Sequence, residues 1–261
     1  MSGFDTVWLD LREPADNAAR DPDLLQAAIE SVVVAGDGVK VVDLGCGTGS
    51  TLRALAPQSS SWHWRLVDND PQLLEEAANR LGMPDQVTCL QADLSQLAPE
   101  LFTDARLVTA SALFDLVSAE FLERLLHLLA ERDIGLYTAL NYDGVCSWEI
   151  AHEADALVVE AFNAHQRRDK GFGPALGPTA EPVLSRLAEQ AGFKVLTGQS
   201  PWHLGGDQAE LQRQFIDGMA NAASETDRIE KAMLDDWRRM RLEMASRSAC
   251  EVGHWDMLLL R

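Results

Sequence analysis

The stretch VVDLGCGTGS, residues 41–50, runs from an apolar segment straight into three alternating glycines. Val41, Val42 and Leu44 read as the end of a buried strand, and a helix pattern starts at about residue 50. Glycines at 45, 47 and 49 let the backbone turn sharply and approach a ligand without a Cβ collision. Amide groups at the start of the following helix then favour an electron-rich ligand group. Such a unit belongs at the ligand edge of an open α/β sheet, outside the carboxyl ends of the strands. A dinucleotide fingerprint is built the same way, but G-x-G-x-x-G counted from Gly45 puts its third glycine at Ser50. The spacing here is D-x-G-x-G-x-G, opened by Asp43.

The rest of the chain supplies the sheet that this loop requires. Strand-like runs at 39–44, 62–67, 86–90, 105–110 and 134–140 alternate with helical patterns at 50–56, PQLLEEAANRLG, a short turn near 95–101, and SAEFLERLLHLLAE. In the last of these Ser118 is an N-cap, and Phe121, Leu122, Leu125, Leu126 and Leu129 make one apolar face. A further helix is expected at 179–192, capped by Thr179 and stopped by Gly192, with strands at 193–198 and 251–261. Strands joined by helical crossovers imply an α/β fold: a mostly parallel sheet with helices on both faces. No linker or internal repeat divides the 261 residues, so one domain is expected. It would comprise a helical cap (4–34), a core (36–142), and insertions at 143–178 and 207–247 covering the ligand edge.

Two more carboxylates sharpen the site. Asp68 ends the second strand, nineteen residues after Gly49, where a carboxylate can accept both ribose hydroxyls of a nucleoside. Asp93 follows the third strand, placed to meet an adenine amino group, with the Leu94 N–H beside it. Either alone is equally a helix cap. Three acids at the ends of three consecutive strands form a more specific pattern. On Asp43, Gly45, Gly47, Gly49, Asp68 and Asp93 the chain resembles the class I S-adenosylmethionine-dependent methyltransferases, clearly over 36–141 and in topology over 179–198 and 251–261. The resemblance implies a Rossmann-like sheet of seven strands with the last reversed, and S-adenosylmethionine as cofactor. It also implies cofactor contacts from Cys46, Asn69, Ala110 and Ser111 beside the motif residues.

Methyl transfer needs an aligned acceptor, exclusion of water and, for some acceptors, removal of a proton. Phe114 and Asp115, after strand four, are expected above the transferred group, with Asp115 as base or orienting group. After strand five, Asn141, Tyr142 and Trp148 offer amide, phenol and indole groups, although Asp143-Gly144 also reads as a hairpin turn. His165, Arg167, Arg168 and Lys170, in HQRRDKGFGPALGP, are a cationic loop able to hold an acidic acceptor or to lie solvated. In the cap, Trp8, Arg12 and Arg20 fit either a surface helix, with Glu13 and Asp16 as partners, or an arginine against the cofactor carboxylate. RRMR at 238–241 reads as an exposed helix face, and Ile229, Met233, Trp237, Met240 and Met244 as a core stripe. His152-Glu153 lacks the second histidine of HExxH, and the other histidines, His254 among them, stand alone, so no metal site is implied.

Charge narrows the acceptor. A formal −19 repels nucleic acid and anionic membranes, which leaves a small, possibly anionic, organic molecule as the expected partner. Four scattered cysteines and an N-terminus without a basic-apolar leader point to free thiols and the cytoplasm. Two alternatives stand beside a transferase: a cofactor-binding regulatory protein without turnover, and an NAD-dependent oxidoreductase.

Overall fold

The computed structural model describes residues 5–33, 38–55, 61–81 and 85–261. The join expected between cap and core at 34–36, residue 56 of the expected helix 50–56, and Gly82 of PQLLEEAANRLG lie outside these residues. The chain opens with α1 (Thr6–Ala19) and α2 (Pro22–Val33). Alternation follows: β1 (Lys40–Leu44), α3 (Ser50–Leu55), β2 (His63–Asp68), α4 (Pro71–Leu81), β3 (Val87–Gln91) and β4 (Ala105–Ser111). Then come α5 (Ala119–Glu131), β5 (Gly135–Trp148), α6 (Asp155–Gln166), α7 (Ala180–Gln190) and β6 (Lys194–Gln199). The chain ends with β7 (Trp202–Leu204), α8 (Ala209–Ser224), α9 (Lys231–Met244) and β8 (Cys250–Leu260).

Strands β3-β2-β1-β4-β5 are parallel, and β8 runs antiparallel between β5 and β6. This is the mostly parallel sheet with a reversed last strand that the resemblance implied. The short β7, which the sequence did not announce, pairs with β8 and brings the described strands to eight. Neighbouring residues of the central strands go to opposite faces. Val42, Val108 and Leu136 pack with Phe121, Leu125 and Leu184 on one side, while Val41, Leu66 and Leu107 pack with Ile29, Leu52 and Leu74 on the other. Because both faces are covered, the strands read as continuous apolar runs. The strand order reverses between β1 and β4, so the loops leaving them diverge and open a crevice at their carboxyl ends.

Helix α5 begins as expected, with Ser118 Oγ accepting the Phe121 N–H at 3.2 Å. Thr179 does not cap α7. That helix grows out of a 3-10 turn at Gly177–Thr179, and the Thr179 hydroxyl donates back to the Leu176 carbonyl. Gly192, at φ +84°, ends α7 as expected.

The larger departure is β5. Its expected end at 140 and a hairpin at Asp143-Gly144 are both replaced by a strand that continues to Trp148 and pairs with β8 through Cys250. Gly144, at φ +91°, sits in a register shift between Tyr142 and Cys146, so the turn dipeptide makes a bulge instead. On this extended ribbon a third core forms from α6, α8, α9 and Ala15 of α1. In α9 the buried residues are Leu234, Trp237 and Arg241; of the expected core stripe Trp237 is buried and Ile229 packs against this core, while Met240 and Met244 are half-buried and Met233 is exposed. Arg241, expected on an exposed face, is fully buried: it forms a two-pronged ion pair with Asp155 and lies over the Trp148 ring. Among the described residues no helix is long and apolar enough to cross a membrane.

Candidate active site

The carboxyl ends of β1 to β4 open on a cleft lined by Gly45, Gly47, Asp68, Asn69, Asp93, Leu94 and Ser111. Gly45, Gly47 and Gly49 have φ of +64°, +53° and +82°, the left-handed region that L side chains rarely adopt. A Cβ on Gly47 would also stand 3.3 Å from Leu9 Cδ1 of α1. Asp68 Oδ2 accepts the Gly47 N–H at 2.9 Å and Oδ1 that of Asp70 at 3.0 Å, which fixes the carboxylate across the glycine loop. Asp93 Oδ1 accepts the Ser95 N–H at 2.9 Å, so this residue caps a 3-10 turn and lines the cleft at once.

Three of the expected cofactor residues stand behind the lining rather than in it. Ala110 lies in the core between sheet and α5, and Gly49 is buried under α4. Asp43 is wholly buried; its Oδ1 accepts from Thr109 Oγ1 at 2.7 Å, and its Oδ2 has no hydrogen-bond partner among the described residues. Burial pushes its carboxyl up to about 7, against the opposing Thr109 hydrogen bond and Arg20 charge. Cys46 reaches the narrow end of the cleft beside Thr48, Thr51 and Ser111, and burial raises its thiol well above the usual range.

Helix α1 covers this edge instead of lying on the surface. Leu9 and Arg12 line the cleft, and Arg12 pairs with Asp16 at 2.9 Å as expected, whereas Glu13 pairs with Arg53. Arg20 is buried, donates from Nη2 to Ser111 Oγ at 3.0 Å, and leaves Nε and Nη1 without hydrogen-bond partners among the described residues. A buried acceptor on Asp43, two buried donors on Arg20 and a glycine cradle fit the zwitterionic methionine end of S-adenosylmethionine. The paired acids, Asp68 and Asp93, fit its nucleoside end.

A second cavity adjoins the cleft through Arg12, Ala112 and Leu116. Its walls are largely aromatic and aliphatic, and it holds two of the expected residues on the acceptor side of the sheet, Asp115 and Tyr142, with His165 as a third. Asp115 is 7% exposed, its Oδ1 has no partner among the described residues, and burial lifts its carboxyl to about 6 despite the nearby Arg12 and Lys170 charges. The Tyr142 hydroxyl donates to Asn163 Oδ1 at 2.8 Å, and burial drives its ionisation far above the ordinary tyrosine range. Tyr142, expected among the acceptor and catalytic groups, thus contributes a protonated phenol to the cavity wall. Ala112 (φ +50°) and Leu140 (φ +58°) are two non-glycine residues in the left-handed region, and both line this cavity.

The remaining expected acceptor residues lie elsewhere. Phe114 is fully buried in the core beneath α5. Asn141 is buried within β5, bonded to Thr138 and the Trp255 carbonyl. Trp148 packs edge-on against Trp237, at the far end of the β5 ribbon. Arg168 pairs with Glu225 at 3.1 Å, and Arg167 is exposed beside an outer groove. Lys170 Nζ stays 3.4 Å from His165 Nδ1 without lining the cavity. The loop's reach into the site is instead through His165 and Gln166, in the cavity, and Phe172, in the cleft. It is tied there by Leu176 and Gly177 N–H groups donating to the Val117 and Asp115 carbonyls at 2.8 Å.

Sequence reasoning missed His254, Trp202 and Phe215, which line the cavity from β8, β7 and α8. His254 is held neutral, lowered to about 3 by burial and then by the Arg12 charge. No local pattern marks these residues, since each enters from a distant segment. Trp8 and Arg12 share a helix face at i, i+4 spacing, a usable signal for two groups covering one site.

Comparison with known proteins completes the assignment. Residues 41–132 match a family profile described as a methyltransferase domain. The fold is shared with a cyclopropane-fatty-acyl-phospholipid synthase-like protein from Lactobacillus casei (TM-score 0.55, 15% identity, covering 97% of each chain). It is also shared with the cyclopropane synthase MmaA2 from Mycobacterium tuberculosis (TM-score 0.51, 10% identity, 91% of this chain and 82% of that one). A third similar structure is the mycolic acid cyclopropane synthase CmaA1 complexed with SAH and CTAB (TM-score 0.52, 12% identity, 90% and 83%). No curated protein matches the chain in sequence. The matched stretch spans the glycine loop and all three strand-end acids, so residues 41–132 carry a methyltransferase domain, set in a fold that the chain shares with these structures.

Proposed function

We propose that the enzyme methylates a small organic acceptor held in the second cavity, with Asp115 receiving the acceptor's proton. The observation that carries this reading is a buried carboxylate with a free oxygen, in a cavity walled largely by aromatic and aliphatic side chains that shares lining residues with the cofactor cleft. S-adenosylmethionine supplies an activated methyl group on a sulfonium. Asp68 would hold the ribose hydroxyls, and Asp93 with the Leu94 N–H the adenine. Gly45, Gly47 and Ser111 would receive the methionine part, with Arg20 and Asp43 as its buried counter-charges. The apolar walls would exclude water, and Asp115 would orient the acceptor and take its proton during transfer. A carboxyl near 6 is ionised at neutral pH while remaining a stronger base than an ordinary carboxylate. Arg167 and Arg168 have no part in this reading, so an acidic group on the acceptor is no longer required.

Calorimetry with S-adenosylhomocysteine tests the first half. Micromolar or tighter binding is expected, with NADH giving no heat. Incubation with S-adenosylmethionine and a panel of small hydroxyl and amine compounds should then release S-adenosylhomocysteine. Tight cofactor binding with no turnover across a broad panel would favour a regulatory protein over an enzyme of this kind.

A further inference from the structure

Five aromatic side chains around the second cavity close into a ring. Trp202 meets His254 with centroids 5.0 Å apart, His254 meets Tyr142 at 6.3 Å, and Tyr142 meets Phe162 at 5.5 Å. Phe162 meets Phe215 at 6.2 Å, and Phe215 returns to Trp202 at 6.2 Å. Trp8 of α1 extends the belt, 6.4 Å from Trp202, and all six residues line the cavity. Apart from the tilted Trp202–His254 pair, these contacts are edge-to-face, with interplanar angles from 63° to 83°. The rings therefore differ in orientation around the belt, so it offers both ring faces and ring edges. Such a wall matches the quadrupole of an aromatic guest, whose own face and edge find opposite partners.

Aromatic walls around a carboxylate are also the chemistry of an ammonium site. Two features oppose that here. The Trp202 face is already taken by the Arg12 guanidinium, 5.1 Å from the ring centroid. Asp115 already lies within the field of two cations, Arg12 in the cavity wall and Lys170 behind it. A third positive charge would be repelled, while a neutral guest would not. The free Asp115 Oδ1, buried to 7% exposure, still requires a hydrogen-bond donor from whatever fills the cavity.

We infer that the acceptor is a neutral aromatic molecule of the phenol class, its ring inside this belt and its hydroxyl on Asp115 Oδ1. The inference rests on the methyl-transfer reading above. The phenol oxygen bonds to the methyl carbon as the carbon–sulfur bond breaks. The bonding pair stays on sulfur, and the hydroxyl proton passes to Asp115. The products are an aryl methyl ether and S-adenosylhomocysteine, with no further reactant.

The test uses the full chain saturated with S-adenosylhomocysteine and three probes in calorimetry: 2-naphthol, cyclohexanol and benzyltrimethylammonium. We expect 2-naphthol to bind at least about tenfold more tightly than either other probe, and about tenfold more weakly to Phe215→Leu and Trp8→Leu. Both side chains are only partly buried, and unchanged S-adenosylhomocysteine affinity in each variant would show that the fold is intact. With S-adenosylmethionine in place, mass spectrometry should detect 2-methoxynaphthalene. Equal binding of cyclohexanol, preference for the ammonium probe, or no effect of the two substitutions would overturn the phenol assignment and leave methyl transfer standing. Failure of the wild-type chain to bind S-adenosylhomocysteine would instead remove the reading beneath it.

Discussion

Replacing Asp43 with asparagine separates what this carboxylate does for the fold from what it does for the ligand. Its folded value is about 7 and its ordinary one 3.8, and the cause is burial with one oxygen unpartnered. Folding therefore favours the protonated form. Its stabilising contribution is complete below pH 3.8 and is lost as pH rises through about 7. Integrating the linkage between pH 5 and pH 8 gives a loss of about 2–3 kcal/mol for the wild-type chain. Asparagine carries no charge at either pH and still offers an oxygen to the Thr109 hydroxyl. Relative to wild type, Asp43→Asn should thus gain about 2–3 kcal/mol in stability on going from pH 5 to pH 8. Other titrating groups occur in both chains and cancel in the difference. Urea unfolding followed by circular dichroism, without cofactor, measures it at both pH values. A difference between the chains that stays within about 0.5 kcal/mol from pH 5 to pH 8 would refute the assigned burial penalty.

Three further outcomes follow from other parts of the molecule. With Asp115 as base, kcat/KM for the acceptor should rise with pH up to about 6 and then level off. The groups acting on Asp115 are Arg12 and Lys170, with Tyr142 and His254 also lining its cavity, and Asp115→Asn should flatten the profile and lower kcat by about 10²–10⁴ with S-adenosylhomocysteine affinity unchanged. Arg241→Met should cost about 3–5 kcal/mol in urea unfolding, because it leaves Asp155 unpaired beside the Trp237 indole, and adding Asp155→Asn should recover a large part of that. Gly47→Ala places a side chain at φ +53° and 3.3 Å from Leu9 Cδ1, so S-adenosylhomocysteine should bind about tenfold more weakly by calorimetry, corresponding to roughly 1–2 kcal/mol of left-handed strain.

What the amino-acid sequence alone determined was the local and repetitive part of this protein. Strand β1 runs into Gly45, Gly47 and Gly49, Asp68 and Asp93 end or follow the next two strands, and Ser118 opens α5, all within short windows. Backbone sterics and the period of burial act over a few residues, so these features are legible without a partner segment. Only the tertiary structure decided the acceptor cavity. Trp8, Tyr142, Phe162, Trp202, Phe215 and His254 lie on six different elements, and no window of sequence contains their meeting. The same holds for Arg241, whose exposed-looking run hides a charge that Asp155, 86 residues away, allows to be buried. It holds too for HQRRDKGFGPALGP, whose cations look functional by composition but turn outward, because Glu225 of the segment after α8 pairs with Arg168 while Phe172 turns toward the cofactor cleft. Side-chain direction at such positions is set by the long-range partner that satisfies each charge or covers each ring, and that partner is fixed only when the chain has folded.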